Sequence, residues 1–348
     1  MAAQAGTPML PPGLLPAPGE ARPYQLDTPL LPWGEQGVLL AEFARSRELD
    51  RADWLAAAGV REGQLLSPRQ LLALLAPLAD CGPDAAFVLG RAWLPGHYGL
   101  ASQALQQAAD AREALRLLCG HAGRLTPLLT PRLLEEGDEL LLLWTDACGL
   151  PPARRGFIVD LHVAAVAGMC DWLAGERLPW AFCFNRGRPR ELAHHAVHLG
   201  AALHFGAQAD ALRLPLAAAT RPWRGQAGAA APPLWRQALE ADPAGRRRGL
   251  LAALHDWLAP RLEQAPTLDQ AAAAFAVSPA TLKRHLAQHG THFQAELDQV
   301  RALCAVYLLL RRGEPSQSVA RALGFFDAAN FRRFFKRWTG LTPGALRR

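Results

Sequence analysis

Two helix-turn-helix patterns in tandem, each closing on a basic helix, occupy the stretch from Thr267 to Arg348 and constrain this chain more than any other feature. The first, within 267–290, passes from Thr267 through Phe275, Ser278 and Pro279 to Lys283, Arg284 and Leu286: a short helix, a three-residue turn and a second helix, with no room for a strand. The second, within 315–338, repeats the plan from Ser316 to Trp338 with Gly324 in its turn. Thr267 with Gln270 three residues later fits a capping box, and Ser278 before Pro279 places an N-cap hydroxyl ahead of a first-turn proline. Asp327 suits the N-cap of the last helix, where the helix dipole favours a carboxylate.

Phe331, Phe334, Phe335 and Trp338 fall at i, i+3, i+4 and i+7, a stripe that must turn inward, and Leu282 with Leu286 forms the inward pair of the first pattern. The outward faces then carry Ala280, Thr281, Lys283, Arg284 and Ala287 in one helix and Ala328, Ala329, Asn330, Arg332, Arg333, Lys336 and Arg337 in the other. Small residues beside long basic ones let a helix sit deep in a major groove while its cations reach guanine or phosphate. From Thr267 onward there are twelve Lys and Arg against five Asp and Glu, a balance of +7, whereas the whole chain stands at +6. Phosphate attraction, steeply weakened by salt, would therefore arise from this end. One basic amphipathic helix is equally well read as the solvated face of a small helical domain; two in register favour DNA.

The region resembles the DNA-binding domain of the AraC/XylS family of bacterial transcription regulators. The matching residues are the run Ser278 to Arg284, then Gly290 and Phe293, Arg301 to Leu309, Ala320, Gly324, Phe325, Asp327, Phe331 and Arg333, and finally Phe335 to Trp338, Gly340, Thr342, Pro343 and Arg347. The resemblance implies two subdomains joined by one long helix, about Phe293 to Leu310, that sets both recognition helices in successive major grooves. It assigns base contacts to Ala280, Lys283 and Arg284 in the first and to Ala328, Ala329, Asn330 and Arg333 in the second, with Thr281, Arg332 and Lys336 completing the expected DNA-binding set. Four positions depart from the family pattern: Ser316 replaces an aliphatic residue, Ala271 is small, Leu286 replaces an aromatic, and Phe326 stands where a small polar residue is common. Alanines at 280, 328 and 329 limit contacts there to apolar touch with a thymine methyl.

With 348 residues, half of them apolar, the chain has room for two domains with a core each. Residues 1–25 read as disordered rather than as a signal peptide, because prolines from Pro8 to Pro23 interrupt the apolar run and no basic residue precedes Arg22. No stretch approaches the ~20 uninterrupted apolar residues of a membrane span, so no membrane partner is expected. Six scattered cysteines suit a reduced compartment, the bacterial cytoplasm, with nucleoid association when DNA is bound. The expected organisation is a regulatory domain over 26–216, a linker over 217–248 where Ala, Gly and Pro collect, and a DNA-binding domain over 249–348, opened by an amphipathic helix from Leu250 to Leu262.

Before the linker, Ser67-Pro68 opens a helix, a second covers about Leu100 to His121, and a third covers Phe157 to Leu173. Arg132 to Trp144 reads as a hairpin around a Glu136-Gly137-Asp138 turn, and Trp180 to Phe184 and Ala202 to Phe205 add short strands. The expected fold class is thus multidomain: a mixed α+β effector domain followed by an all-α domain with two helix-turn-helix subdomains on a long linker helix. The order of elements, with Phe205-Gly206 preceding Leu212 to Pro215, resembles over about Leu30 to Pro222 the effector domain of an AraC-family branch typified by ornithine-utilisation regulators. That resemblance implies a small-molecule sensor contributing to dimerisation.

Competing chemistry is sparse. His194, His195 and His198 place two imidazoles one helical turn apart, but no carboxylate or cysteine at zinc spacing accompanies them, so a partly exposed helix or turn is expected and no metal. His162 on an apolar helix reads as a hydrogen-bonded core histidine, and Arg154-Arg155 as an exposed loop pair. Trp93, His97 and Tyr98 lie in a glycine-bounded loop suited equally to a pocket wall and to ordinary packing; with His162 they are the candidate effector-binding residues. There is no nucleophile elbow, phosphate-cradling loop or dinucleotide fingerprint, so neither enzyme activity nor a cofactor is expected. The reading is an effector-responsive activator on double-stranded promoter DNA, working with RNA polymerase and open to homodimerisation. The alternative makes the N-terminal domain a protein-interaction module.

Overall fold

A computed structural model describes residues 22–94, 99–223 and 242–346, which divide between one compact unit ending at Ala252 and another spanning Ala253–Arg348. Most of the segment expected to be disordered, up to residue 21, and most of the expected linker, 224–241, lie outside the described residues. The ends that border them are packed. Tyr24 is buried and its hydroxyl donates to the Pro127 carbonyl at 2.7 Å, while the Trp223 amide donates to Ala109 at 2.9 Å.

In the N-terminal unit, β1 (Leu31–Pro32) pairs antiparallel with β2 (Leu65–Leu66), and a π-helical turn at Trp33–Gly37 leads into α1 (Val38–Ser46). Next come α2 (Arg51–Ala57), α3 (Pro68–Ala79), α4 (Ala85–Trp93), α5 (Gly99–Gln106), α6 (Ala111–Gly120) and α7 (Ala122–Leu125). Ser67 starts α3 through a complete capping box with Gln70. The single helix expected from Leu100 to His121 is two. Asp110 accepts from the Glu113 amide at 2.8 Å and Glu113 from the Ala109 amide at 2.7 Å, so local side-chain bonds begin a new helix where the old one would have continued.

The hairpin β3 (Leu129–Glu136) and β4 (Glu139–Asp146) turns at Gly137-Asp138, in agreement with the sequence pattern. With β5 (Ala181–Phe184), β6 (Leu203–Phe205) and β7 (Asp210–Pro215) it builds a five-stranded sheet in the order β3-β4-β7-β5-β6, antiparallel except at β5–β6. Leu140 to Trp144 are all buried, the mark of a strand covered on both faces. The 23-residue α8 (Pro152–Ala174) begins on a first-turn proline and ends at Gly175 in the left-handed conformation.

Length and mean hydropathy would let α8 cross a membrane, although Asp160, His162 and Asp171 interrupt its apolar run. Its apolar window is 72% buried, and it packs along α4, where Gly90 lets the backbones meet: a Cβ there would strike the Leu161 carbonyl. Nor are Arg154 and Arg155 an exposed loop pair. Both lie in the first turns of α8, Arg154 bound to Asp80 at 2.8 Å and Arg155 to the buried Asp210 at 2.9 Å. The histidine cluster lies on α9 (Ala193–Leu199), where His195 is buried between Asp160, Arg186 and the rings of Phe87, Phe184 and Phe205. Two short helices, α10 (Leu216–Ala219) and α11 (Pro243–Arg246), complete this unit.

α12 (Leu250–Leu258) runs across the division between the units. The helix expected to reach Leu262 changes to a 3-10 stretch at Ala259–Gln264, because Pro260 has no N–H to continue the α-helical ladder. Then follow α13 (Leu268–Ala274), α14 (Pro279–Gln288), α15 (Phe293–Leu310), α16 (Ser316–Ala322), α17 (Ala328–Thr339) and α18 (Pro343–Leu346). Leu282, Leu286, Leu308, Val319, Phe331 and Phe335 are among the buried residues of this helical unit. Gly324, in the α16–α17 turn, combines φ +74° with a backbone so close to the Leu262 carbonyl that a Cβ would collide with it. A buried pair joins α12 to α15: His255 Nε2 lies 2.7 Å from Glu296 Oε2, and Thr291 donates to the other carboxylate oxygen. Burial pushes the Glu296 carboxyl up, yet the His255 bond and charge outweigh it and hold the group below its ordinary value.

Candidate nucleic-acid interface

Two helices, α14 and α17, carry the residues singled out from the sequence, and each starts where a side chain says it should. The Thr267–Gln270 capping box forms at the head of α13, with both bonds made at 2.9 and 3.3 Å. Ser278 accepts from the Thr281 amide at 3.1 Å to open α14, and Asp327 accepts from the Asn330 amide at 2.6 Å to open α17. α16 begins at Pro315 without a side-chain cap.

The faces divide by period. In α14, Leu282 and Leu286 are buried while Ala280, Lys283 and Arg284 are exposed and Thr281 is half-buried. In α17, Phe331 and Phe335 are buried, Phe334 and Trp338 half-buried, and Ala329, Arg332, Arg333 and Lys336 exposed; Ala328 and Asn330 lie at the half-buried edge. Phe325, from the turn, inserts against this stripe, its ring 5.9, 5.5 and 5.8 Å from Phe331, Phe334 and Trp338. Aromatic contacts of this kind hold α17 to its support and so fix its outward face.

The cations are not equivalent. Lys283, Arg284, Arg332 and Lys336 are exposed and form no ion pair among the described residues. Arg333 donates to Asn330 Oδ1 at 2.9 Å, which aligns a guanidinium with a carboxamide on one face. Arg337, outward and exposed as the sequence pattern places it, also binds Asp298 of α15 at 2.8 Å with its guanidinium 4.4 Å from the Phe334 ring. Arg301 is likewise turned to the scaffold, donating to the Leu323 carbonyl at 3.1 Å and lying over Phe325; burial pulls its pKa down. Burial first, and the charge of Arg284 second, hold the neighbouring His285 below its ordinary value. Unpaired guanidinium and ammonium groups beside small side chains, on helices whose reverse sides are core, can pair with phosphates and guanine edges.

In the N-terminal unit, Trp93 and His162 come together with ring centroids 6.1 Å apart, and Trp144 from β4 joins them 5.4 Å from His162. All three are buried. Trp93 Nε1 donates to the Leu125 carbonyl at 3.0 Å and His162 Nδ1 contacts the Ile158 carbonyl at 2.7 Å, so Nδ1 carries the proton. His162 Nε2 and Trp144 Nε1 have no partner among the described residues. Burial pulls His162 down to about 4, and it is neutral near pH 7. His97 and Tyr98 lie outside the described residues. Sequence reasoning does not single out Trp144; its one signal is an indole interrupting a run of leucines.

Known proteins share both halves of this arrangement. Residues 49–223 match the family described as "Arabinose-binding domain of AraC transcription regulator, N-term", and residues 271–348 match "Helix-turn-helix domain". The ornithine utilization regulator of Pseudomonas aeruginosa is 29% identical over 320 residues, covering 89% of this chain and 93% of that protein. An uncharacterized HTH-type transcriptional regulator of Mycobacterium tuberculosis is 28% identical over 340 residues, covering 89% and 94%. The crystal structure of the transcriptional regulator CdpR from Pseudomonas aeruginosa aligns with TM-score 0.45 and 21% identity over 90% of this chain and 97% of that one.

Proposed function

This chain belongs to the AraC family of DNA-binding transcription regulators, and on that premise we propose that it is an effector-responsive activator whose helices α14 and α17 enter successive major grooves of promoter DNA. α15 is the scaffold between two helix-turn-helix subdomains in this reading. Ala280, Lys283 and Arg284 read one half-site and Ala328, Ala329, Asn330 and Arg333 the other, with Thr281, Arg332 and Lys336 completing the DNA-binding set. The single observation that carries it is the pair of side-chain-capped helices, each burying one apolar face and leaving cations unpaired on the other.

The N-terminal unit, expected over 26–216 and carried on by α10 and α11, binds a small molecule, the C-terminal helical unit binds DNA, and the protein acts in the bacterial cytoplasm with RNA polymerase, as a homodimer where its operator demands one. Trp93 and His162, with His97 and Tyr98, form the effector site; the unpartnered His162 Nε2 and Trp144 Nε1 support an occupant there, since buried polar atoms are almost always satisfied. Favouring the DNA-competent arrangement asks the effector for about 1–3 kcal/mol of coupling.

Selection of an operator from random duplexes provides the test. Arg284→Ala and Arg333→Ala should each reduce discrimination between operator and random DNA by about 1–3 kcal/mol. Equal loss on both DNAs would confine these arginines to phosphate contacts. A thermal-shift screen of amino acids, fatty acids and aromatic metabolites tests the sensor: no stabilising compound, with a stoichiometric protein partner recovered instead, would mean an interaction module.

A further inference from the structure

Phe326 is 99% exposed, the most exposed of the large hydrophobic side chains among the described residues. Single apolar residues on a surface are ordinary; the position of this one is not. It directly precedes Asp327, the N-cap of α17, and its neighbour Phe325 already fills the adjacent core position against Phe331, Phe334 and Trp338. Phe326 is thus held on the solvent side of the turn, one residue before the N-cap of α17, the helix whose first turns carry the exposed Ala329 and the bonded pair Asn330 and Arg333.

We propose that Phe326 is a specificity-determining residue that covers a thymine C5-methyl in the half-site read by α17. The proposal rests on α17 entering the major groove. The N-terminal end of a recognition helix is the part that meets base edges, and the thymine methyl is the apolar group the major groove offers. A phenyl ring has nothing to give a phosphate, which repels apolar surface rather than gaining from it. Ala328 and Ala329 carry no hydrogen-bonding group and are short, so polar reading by this helix falls to Asn330 and Arg333, and apolar reading to the ring beside them. The α17 half-site should accordingly require a thymine next to the base pairs that Asn330 and Arg333 contact.

The test uses the full chain, the selected operator and binding measured at fixed salt. Each thymine of the α17 half-site is replaced in turn by uracil, which deletes the methyl and nothing else. One replacement should weaken the unaltered protein by about fourfold, the worth of one methyl-sized group kept from water. Phe326→Ala should bind the unmodified operator about tenfold more weakly and be indifferent to that uracil, while Phe326→Leu recovers part of the loss. Melting temperature and affinity for random DNA should not change. The proposal is overturned if both proteins respond alike to every uracil, if Phe326→Ala loses as much on random DNA, which would mean a sugar contact, or if DNA binding is intact and only transcription in a reconstituted assay falls, which would mean a protein partner. Failure of the groove reading would show separately, as operator discrimination undiminished in Arg333→Ala.

Discussion

The two units of this protein treat their charge in opposite ways. In the N-terminal domain four arginines close to the core are committed to carboxylates, Arg155 to Asp210, Arg186 to Asp160, Arg124 to Asp242 and Arg47 to Asp84, and the buried Arg132 donates to the Thr145 hydroxyl and the Ala252 carbonyl. In the C-terminal domain Lys283, Arg284, Arg332 and Lys336 stand exposed without ion pairs among the described residues, and two of the arginines that find partners, Arg301 and Arg337, brace the helices that carry them. A basic residue therefore marks an interface only when its own fold leaves it unused.

Stability should follow the same division. Asp160→Ala leaves Arg186 and the buried His195 without their carboxylate and should destabilise the N-terminal domain by about 3–5 kcal/mol. Phe335→Ala should cost the C-terminal domain about 3–5 kcal/mol through an unfilled core, because this ring anchors the inward face of α17. Urea unfolding followed by tryptophan fluorescence measures both. An Asp160→Ala protein that unfolds at the wild-type midpoint would erase the contrast, since its charges would then be as dispensable as surface ones.

Legibility in the sequence divides along the same line. Caps and the 3.6-residue period are local signals, so Ser278, Asp327 and the Phe331–Phe335 stripe declare the C-terminal helices from residue order alone, and the hairpin at Gly137-Asp138 is equally plain. The break at Asp110 is hidden because leucine and alanine continue on both sides of it. Partners distant in sequence are hidden altogether: nothing near Arg337 points to Asp298, nothing near His162 points to Trp144, and Arg154-Arg155 has the pattern of a loop pair because Asp80 and Asp210 come from elsewhere in the chain. Phe326 is visible as a departure from the family pattern, but only its exposure gives that departure a physical meaning.

Acid sharpens the comparison. His162 has an ordinary value of 6.5 that burial lowers to about 4. The unfolded chain then binds a proton that the folded domain refuses, so stability from this group is complete above pH 6.5 and is lost as pH falls toward 4, by about 3 kcal/mol in all. His162→Phe should flatten the pH dependence of N-terminal unfolding over that window. If the slope survives His162→Phe, the proton is taken up by another group.

The smallest effect bears on what the unpaired cations are for. Lys336 lies near the end of α17, beyond the residues that would face base edges, and its ammonium is a flexible point charge rather than a planar fork. It should touch phosphate. Lys336→Ala should then weaken operator and random DNA alike and reduce the slope of log affinity against log salt by about 1. Stability should change by less than about 0.5 kcal/mol, because the side chain is exposed and outside any ion pair among the described residues. A loss confined to the operator would instead make Lys336 a base-reading residue and move the boundary between positioning and reading one helical turn further along α17, past Arg333.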